Sequence, residues 1–147
     1  MGADTAGPEN DHAHGGFGMP PETDAGGRPV DHVLLGSLVG AAMDGCVSCQ
    51  DPLLTLLVED PVTTARVIEL ACIATQRAFG GLPASMTEDD VPGLSHPAFR
   101  RAARAGLDGA NDALFATVGA MPPGDRRGAA NTAIDTLAGF LGLAGPH

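Results

Sequence analysis

Between Phe99 and Met121 the apolar residues fall at steps of four, four, three, four, four and three: Phe99, Ala103, Leu107, Ala110, Leu114, Val118 and Met121. That spacing returns to one side of a helix of 3.6 residues per turn, whereas a strand would need every second residue. Pro97 suits the first position of this helix, because its missing N–H would have no intrahelical partner there. Pro122-Pro123-Gly124 ends the run, and Asp125 is placed to cap a further helix to about Leu143. The buried side of that helix is expected to carry Ala130, Ala133, Ile134, Leu137, Phe140 and Leu141. A link this short predicts an antiparallel hairpin.

The same punctuation recurs upstream. Asp31 precedes a stretch to about Asp44 in which Leu34, Leu35, Leu38, Val39, Ala41 and Ala42 share an arc, and Gly45 suits its end. Asp51-Pro52 and Asp60-Pro61 each put a capping acid before a proline. The first predicts a short helix from Pro52 to about Glu59. The second predicts a longer one from Pro61 to about Phe79, with Val67, Leu70, Ala71, Ala74 and Ala78 inward, Arg66, Glu69, Gln76 and Arg77 opposite, and Gly80-Gly81 as the stop. Residues 80–96 read as a long loop, within which Ser85 and Glu88 suit a single capped turn. No useful length alternates with period two. The expected fold is all-α: a bundle of four main helices plus one short helix.

Residues 1–29 are rich in Gly, Pro, Asp and Glu and nearly empty of large apolar groups. Such a segment cannot offset the entropy of ordering itself. The expected organisation is a disordered acidic tail over 1–29 and a single helical domain over 30–147. With no Trp, no Tyr and only five Phe, the core has to be filled by Leu, Val, Ile and Ala.

Charge narrows the partners. The net charge is −10, and all eight basic residues are Arg; a Lys-free, Ala- and Gly-rich composition suits a high-GC bacterial source. The tail and the domain are both acidic, so nucleic acid and anionic membrane surfaces are disfavoured. The longest apolar stretch, Val33 to Met43, is about half of the roughly twenty residues a membrane span needs. Three cysteines, an odd number, and no secretory signal point to a reducing cytoplasm.

Cys46-Val47-Ser48-Cys49 is the sharpest chemical feature. A C-x-x-C pair serves either as a redox dithiol or as half of a metal site. Cys46, Cys49 and Cys72 with His32 or His96 would complete a zinc set, although no second C-x-x-C or H-x-x-x-H supports one. The plainer expectation is that these thiols are small hydrophobes at a helix corner, with no metal and no cofactor. His12 and His14, beside Asp11 and near Met19, have the residue types of a transition-metal site, but two histidines in such a segment read rather as part of a polar linker.

Arg100, Arg101 and Arg104 crowd the start of the Pro97 helix, the end where the helix dipole disfavours cations. They suit either the binding of an anion or an acidic protein surface, or a solvated face balanced by Asp108 and Asp112. At 100° per residue Phe115 falls about 160° from Phe99, on the polar side, where an aromatic residue has no folding purpose. The helices at Pro52 and Pro61 resemble a helix-turn-helix in outline, with Thr63, Thr64 and Arg66 outward, but lack a glycine turn and carry Glu69. No residues group as a triad or a phosphate cradle. The leading expectation is a non-enzymatic protein-interaction or regulatory protein that binds another protein or a second copy of itself, through Phe115, Arg100, Arg101 and Arg104. The alternative is a thiol-dependent protein using Cys46 and Cys49 for metal binding or redox chemistry.

Overall fold

The computed structural model describes residues 29–144, apart from the side chains of 108–111 and 142–144. The expected tail, with His12 and His14, lies outside the described residues but for Pro29. Every regular element described is helical. They are α1 (His32–Met43), α2 (Val47–Val58), α3 (Pro61–Phe79), α4 (Pro97–Gly119) and α5 (Pro123–Ala144), with a 3-10 turn at Ala84–Met86 between α3 and α4.

The all-α class stands, but the count of four main helices and one short one is wrong. Among the described residues, α2 has twelve residues, as many as α1. It starts at Val47 rather than at Pro52, so Pro52 lies within it. The missing N–H of Pro52 deprives only the carbonyl of Ser48, and Ser48 is exposed, where water replaces the bond. The start is set instead by the end of α1. Gly45 takes the left-handed conformation, at φ 71°, which a residue without Cβ adopts freely. Cys46 N–H then donates to Ala41 O (2.9 Å) and Gly45 N–H to Ala42 O (3.1 Å), closing a Schellman motif. The carbonyl of Cys46 in turn accepts from Cys49 N (3.2 Å) and Gln50 N (3.1 Å). One residue therefore closes α1 and opens α2.

The helix α3 begins and ends where its punctuation predicts. Asp60 accepts from Thr63 N (3.0 Å), and Gly80 closes the helix at φ 79°. Its buried side is rotated from the expected arc, however. Thr64, Val67, Ile68, Ala71, Cys72 and Thr75 face inward, and so does Glu69, which was expected outside. The cause is that α3 packs against both α4 and α5, so the width it buries exceeds one apolar stripe. The buried hydroxyls of Thr64 and Thr75 are satisfied by backbone carbonyls, Leu57 O (2.7 Å) and Ala71 O (2.8 Å). Arg66 reaches Glu69 Oε1 at 2.6 Å and neutralises it.

The hairpin of α4 and α5 forms as expected, with Phe99, Leu114, Val118, Ala130, Ala133 and Ile134 in the core. Leu107 departs from its stripe and is 52% exposed. The cap of α4 is an imidazole: His96 Nδ1 accepts from Ala98 N (3.0 Å), and His96 N donates to Thr132 Oγ1 (3.0 Å) on α5. On α5 the helix opens two residues before Asp125, which lies in its first turn. Among the described residues, no helix is long and apolar enough to cross a membrane.

Candidate functional site

Cys46 and Cys49 are joined by a disulfide, with Cα atoms 5.3 Å apart. This separation lies in the middle of the range that disulfides accept. It follows from the corner just described, because the N-cap residue and the third residue of a helix's first turn project to the same side. Both cysteines are half-buried, whereas Val47 and Ser48 between them are exposed. No side chain caps α2. Cys46 sits at that N-terminus, where the helix dipole favours negative charge and thus a thiolate. Its sulfur lies 3.7 Å from Ser48 Oγ, within reach of a hydroxyl hydrogen bond.

Cys72 is elsewhere and in an opposite setting. It is buried on α3, and that burial, reinforced by the neighbouring Glu69 carboxylate, pushes its thiol up to about 12. Beside it is a small cavity of about 100 Å³, lined by Glu69, Gln76, Leu82, Ala103, Gly106 and Leu114 among others. His32 stands at the start of α1 and His96 at the start of α4, where it is committed as a cap. The candidate zinc ligands are thus spread over four places: Cys46 and Cys49 at the corner, Cys72 on α3, His32 at the start of α1 and His96 at the start of α4. Among the described residues, no three His, Cys, Asp or Glu side chains gather so as to hold a metal ion.

A cleft of about 460 Å³ opens between α2 and α5, starting at Val47 and lined by neither Cys46 nor Cys49. Val47, Gln50, Asp51 and Leu54 form one wall; Gly124, Arg127, Gly128 and Asn131 form the other. Arg127 spans it, donating to the Asp51 carboxylate and, at 3.1 Å, to Thr55 Oγ1. Two helix starts, Val47 and Gly124, therefore border one cleft, and its cation and acid neutralise each other.

The arginines of α4 face a different task. Arg100 is only 4% exposed; it donates to the carbonyls of Ser95 (3.1 Å), Val91 (2.6 Å) and Glu88. Arg104 donates to Thr87 O and pairs with Asp89 at 3.1 Å. Arg101 makes an exposed pair with Asp125 at 3.1 Å. Two of the three thus fasten the 80–96 loop, whose carbonyls compensate for the unfavourable dipole. The sequence signal was the loop itself, because a long loop without its own ladder has to find donors for its carbonyls. Phe115 is half-buried and packs against the core. Thr63 and Thr64, the residues that would face DNA in a helix-turn-helix, are fully buried.

Comparison of the chain with family models, with curated proteins and with solved structures gives no match.

Proposed function

We propose that this chain is a thiol-dependent redox protein, with Cys46 and Cys49 as its two-electron couple and a protein as its partner. The observation that carries the reading is the placement of the disulfide, half-exposed at an uncapped helix N-terminus. A disulfide that merely fastens the chain would bridge distant segments; this one closes a loop so short that it restrains little of the unfolded chain. Charge stabilisation at the helix start favours Cys46 as the thiol that exchanges with a partner, and leaves Cys49 to resolve the mixed disulfide. The metal form of thiol chemistry has less support, since Cys72, His32 and His96 stand apart from the pair.

The experiment is a redox titration. The full chain is equilibrated in glutathione buffers of graded ratio, quenched in acid, alkylated and weighed by mass spectrometry. A reversible two-thiol step is expected, with its midpoint above about −300 mV, the level below which disulfides behave as structural ones. A pair still oxidised below that level would be a staple, and a pair that never oxidises would be two small hydrophobes. Either result overturns the reading. Cys49→Ser should accumulate a mixed disulfide at Cys46, while Cys46→Ser should not.

A further inference from the structure

We infer that the cleft between α2 and α5 is where an extended segment of the partner protein lies while its dithiol exchanges with Cys46; this rests on the redox reading above. Four features of the cleft carry the inference. Its wall begins at Val47, the residue after Cys46, so the cleft starts one residue along the chain from the exchanging sulfur, although neither cysteine lines it. Gln50 and Asn131 put one carboxamide on each wall, and a carboxamide offers both the donor and the acceptor that a main-chain amide needs. Gly124 leaves its part of α5 bare, with nothing within 4 Å of where a Cβ would stand. Finally, the Asp51–Arg127 pair cancels the charge along the cleft. A neutral cleft edged with amides matches a neutral peptide main chain better than it matches a charged small molecule. The volume, about 460 Å³, lies in the range of clefts that enclose small ligands.

The exchange balances without a further reagent, because the disulfide of the chain is itself the oxidant. A thiolate of the partner attacks Cys46 Sγ; a new S–S bond forms between them, the Cys46–Cys49 bond breaks, and Cys49 departs as a thiolate. The second thiolate of the partner then attacks its own sulfur in the mixed disulfide and releases Cys46. The partner has lost two electrons and gained a disulfide, and the chain has gained both electrons. The two protons released by the partner thiols end on Cys46 and Cys49.

The test compares two probes against the oxidised full chain: dithiothreitol, and a ten-residue peptide with two cysteines and uncharged neighbours. The readout is the ratio of the two second-order rate constants, peptide over dithiothreitol. Gly124→Trp fills the cleft from a position with open space above it, and Asn131→Leu removes one carboxamide. For each variant the ratio should fall about tenfold, the equivalent of losing one or two hydrogen bonds to the main chain. Leu94→Ser, an exposed site outside the cleft lining, serves as the control and should keep the wild-type ratio. Unchanged ratios in both cleft variants would overturn the docking inference while leaving the dithiol intact. Equal slowing with both probes would overturn it too, because the substitutions would then act on the disulfide itself. If neither probe reduces the wild-type chain, the redox reading itself fails. Circular dichroism on each variant confirms that the helices remain.

Discussion

The corner between α1 and α2 and the middle of α3 both carry cysteine, yet they set it in opposite surroundings. At the corner, sulfur stands at the open end of a helix, half-exposed, with a hydroxyl 3.7 Å away and a cleft that starts at the next residue, Val47. In α3, sulfur is walled in by apolar neighbours and a carboxylate that both oppose its ionisation. The difference extends to the surrounding polar groups. Around α3 and α4 they are consumed by the fold: Arg66 by Glu69, Thr64 by Leu57 O, Arg100 by three loop carbonyls. Near the corner Arg127 is spent on Asp51 and Thr55, while Gln50 and Asn131 line a groove. The two settings thus differ in where along a helix the cysteine stands, at its open start or within its buried side.

The largest test of that contrast is thiol reactivity in the reduced protein. At pH 8, iodoacetamide should modify Cys46 at least about a hundredfold faster than Cys72, since the thiolate is the attacking form. Peptide mapping by mass spectrometry reads both rates at once, and comparable rates would break the comparison. The same burial has a consequence for stability. Cys72 titrates near 12 in the fold and near 9.0 when unfolded, so between those values the unfolded chain gives up the proton first. Stability present below pH 9 should therefore drain away as pH rises towards 12, and Cys72→Ala should flatten that loss in urea melts.

Next in size is Arg100→Met. It removes three charge-assisted donors from carbonyls of the 80–96 loop and should cost about 3 kcal/mol in urea unfolding. Ser48→Ala at the corner should change stability by less than about 0.5 kcal/mol, as surface substitutions generally do. If the two cost the same, the corner is as tightly built as the loop and the contrast is lost. Glu-specific proteolysis at Glu88 should accelerate in the Arg100 variant, because its carbonyl is one of the three released.

Much of the framework was legible in the sequence, for definable reasons. The start of α3 could be read because Asp60 caps it and Pro61 follows; its end could be read because Gly80 has to be left-handed. The inward face of α4 was legible at Phe99, Ala103, Leu114, Val118 and Met121, which are buried, but not at Leu107. The errors arise where one residue serves two elements. Asp51-Pro52 looks like a helix start, but the chain had already entered α2 through Cys46, which the Schellman closure of α1 delivers in a capping geometry. Glu69 looked solvent-facing because a one-stripe helix buries only one arc, and α3 has neighbours on two sides. A C-x-x-C spacing is open to a disulfide, a metal half-site or two plain thiols; what favours the pairing of Cys46 with Cys49 is the local corner, which no periodicity reports. The cleft was not legible at all, since its walls are about seventy residues apart in the chain and are tied together by side chains such as Arg127, which bonds Asp51 and Thr55 across it.

The finest test places the open and closed environments on one helix, four residues apart. Gly124 and Gly128 both sit in the N-terminal half of α5, and helix propensity alone favours alanine at each. Their surroundings differ. A Cβ on Gly128 would run into the ring of His96, the cap of α4, which is held by its bond from Ala98 N–H. Gly128→Ala should therefore push the imidazole off its site, losing a cap worth about 1 kcal/mol and adding an overpacking cost of similar size. The net destabilisation should be about 2 kcal/mol. A Cβ on Gly124 would meet nothing within 4 Å, because the cleft lies above it. Gly124→Ala should stabilise the chain by about 0.5 kcal/mol, through the reduced freedom of the unfolded state. Urea melts of the two variants should thus move in opposite directions. If both are destabilised, α5 is packed along this whole side and the cleft between α2 and α5 is closed in solution. If both are stabilised, the His96 cap yields at little cost, and the closed end of the molecule is softer than its hydrogen bonds imply.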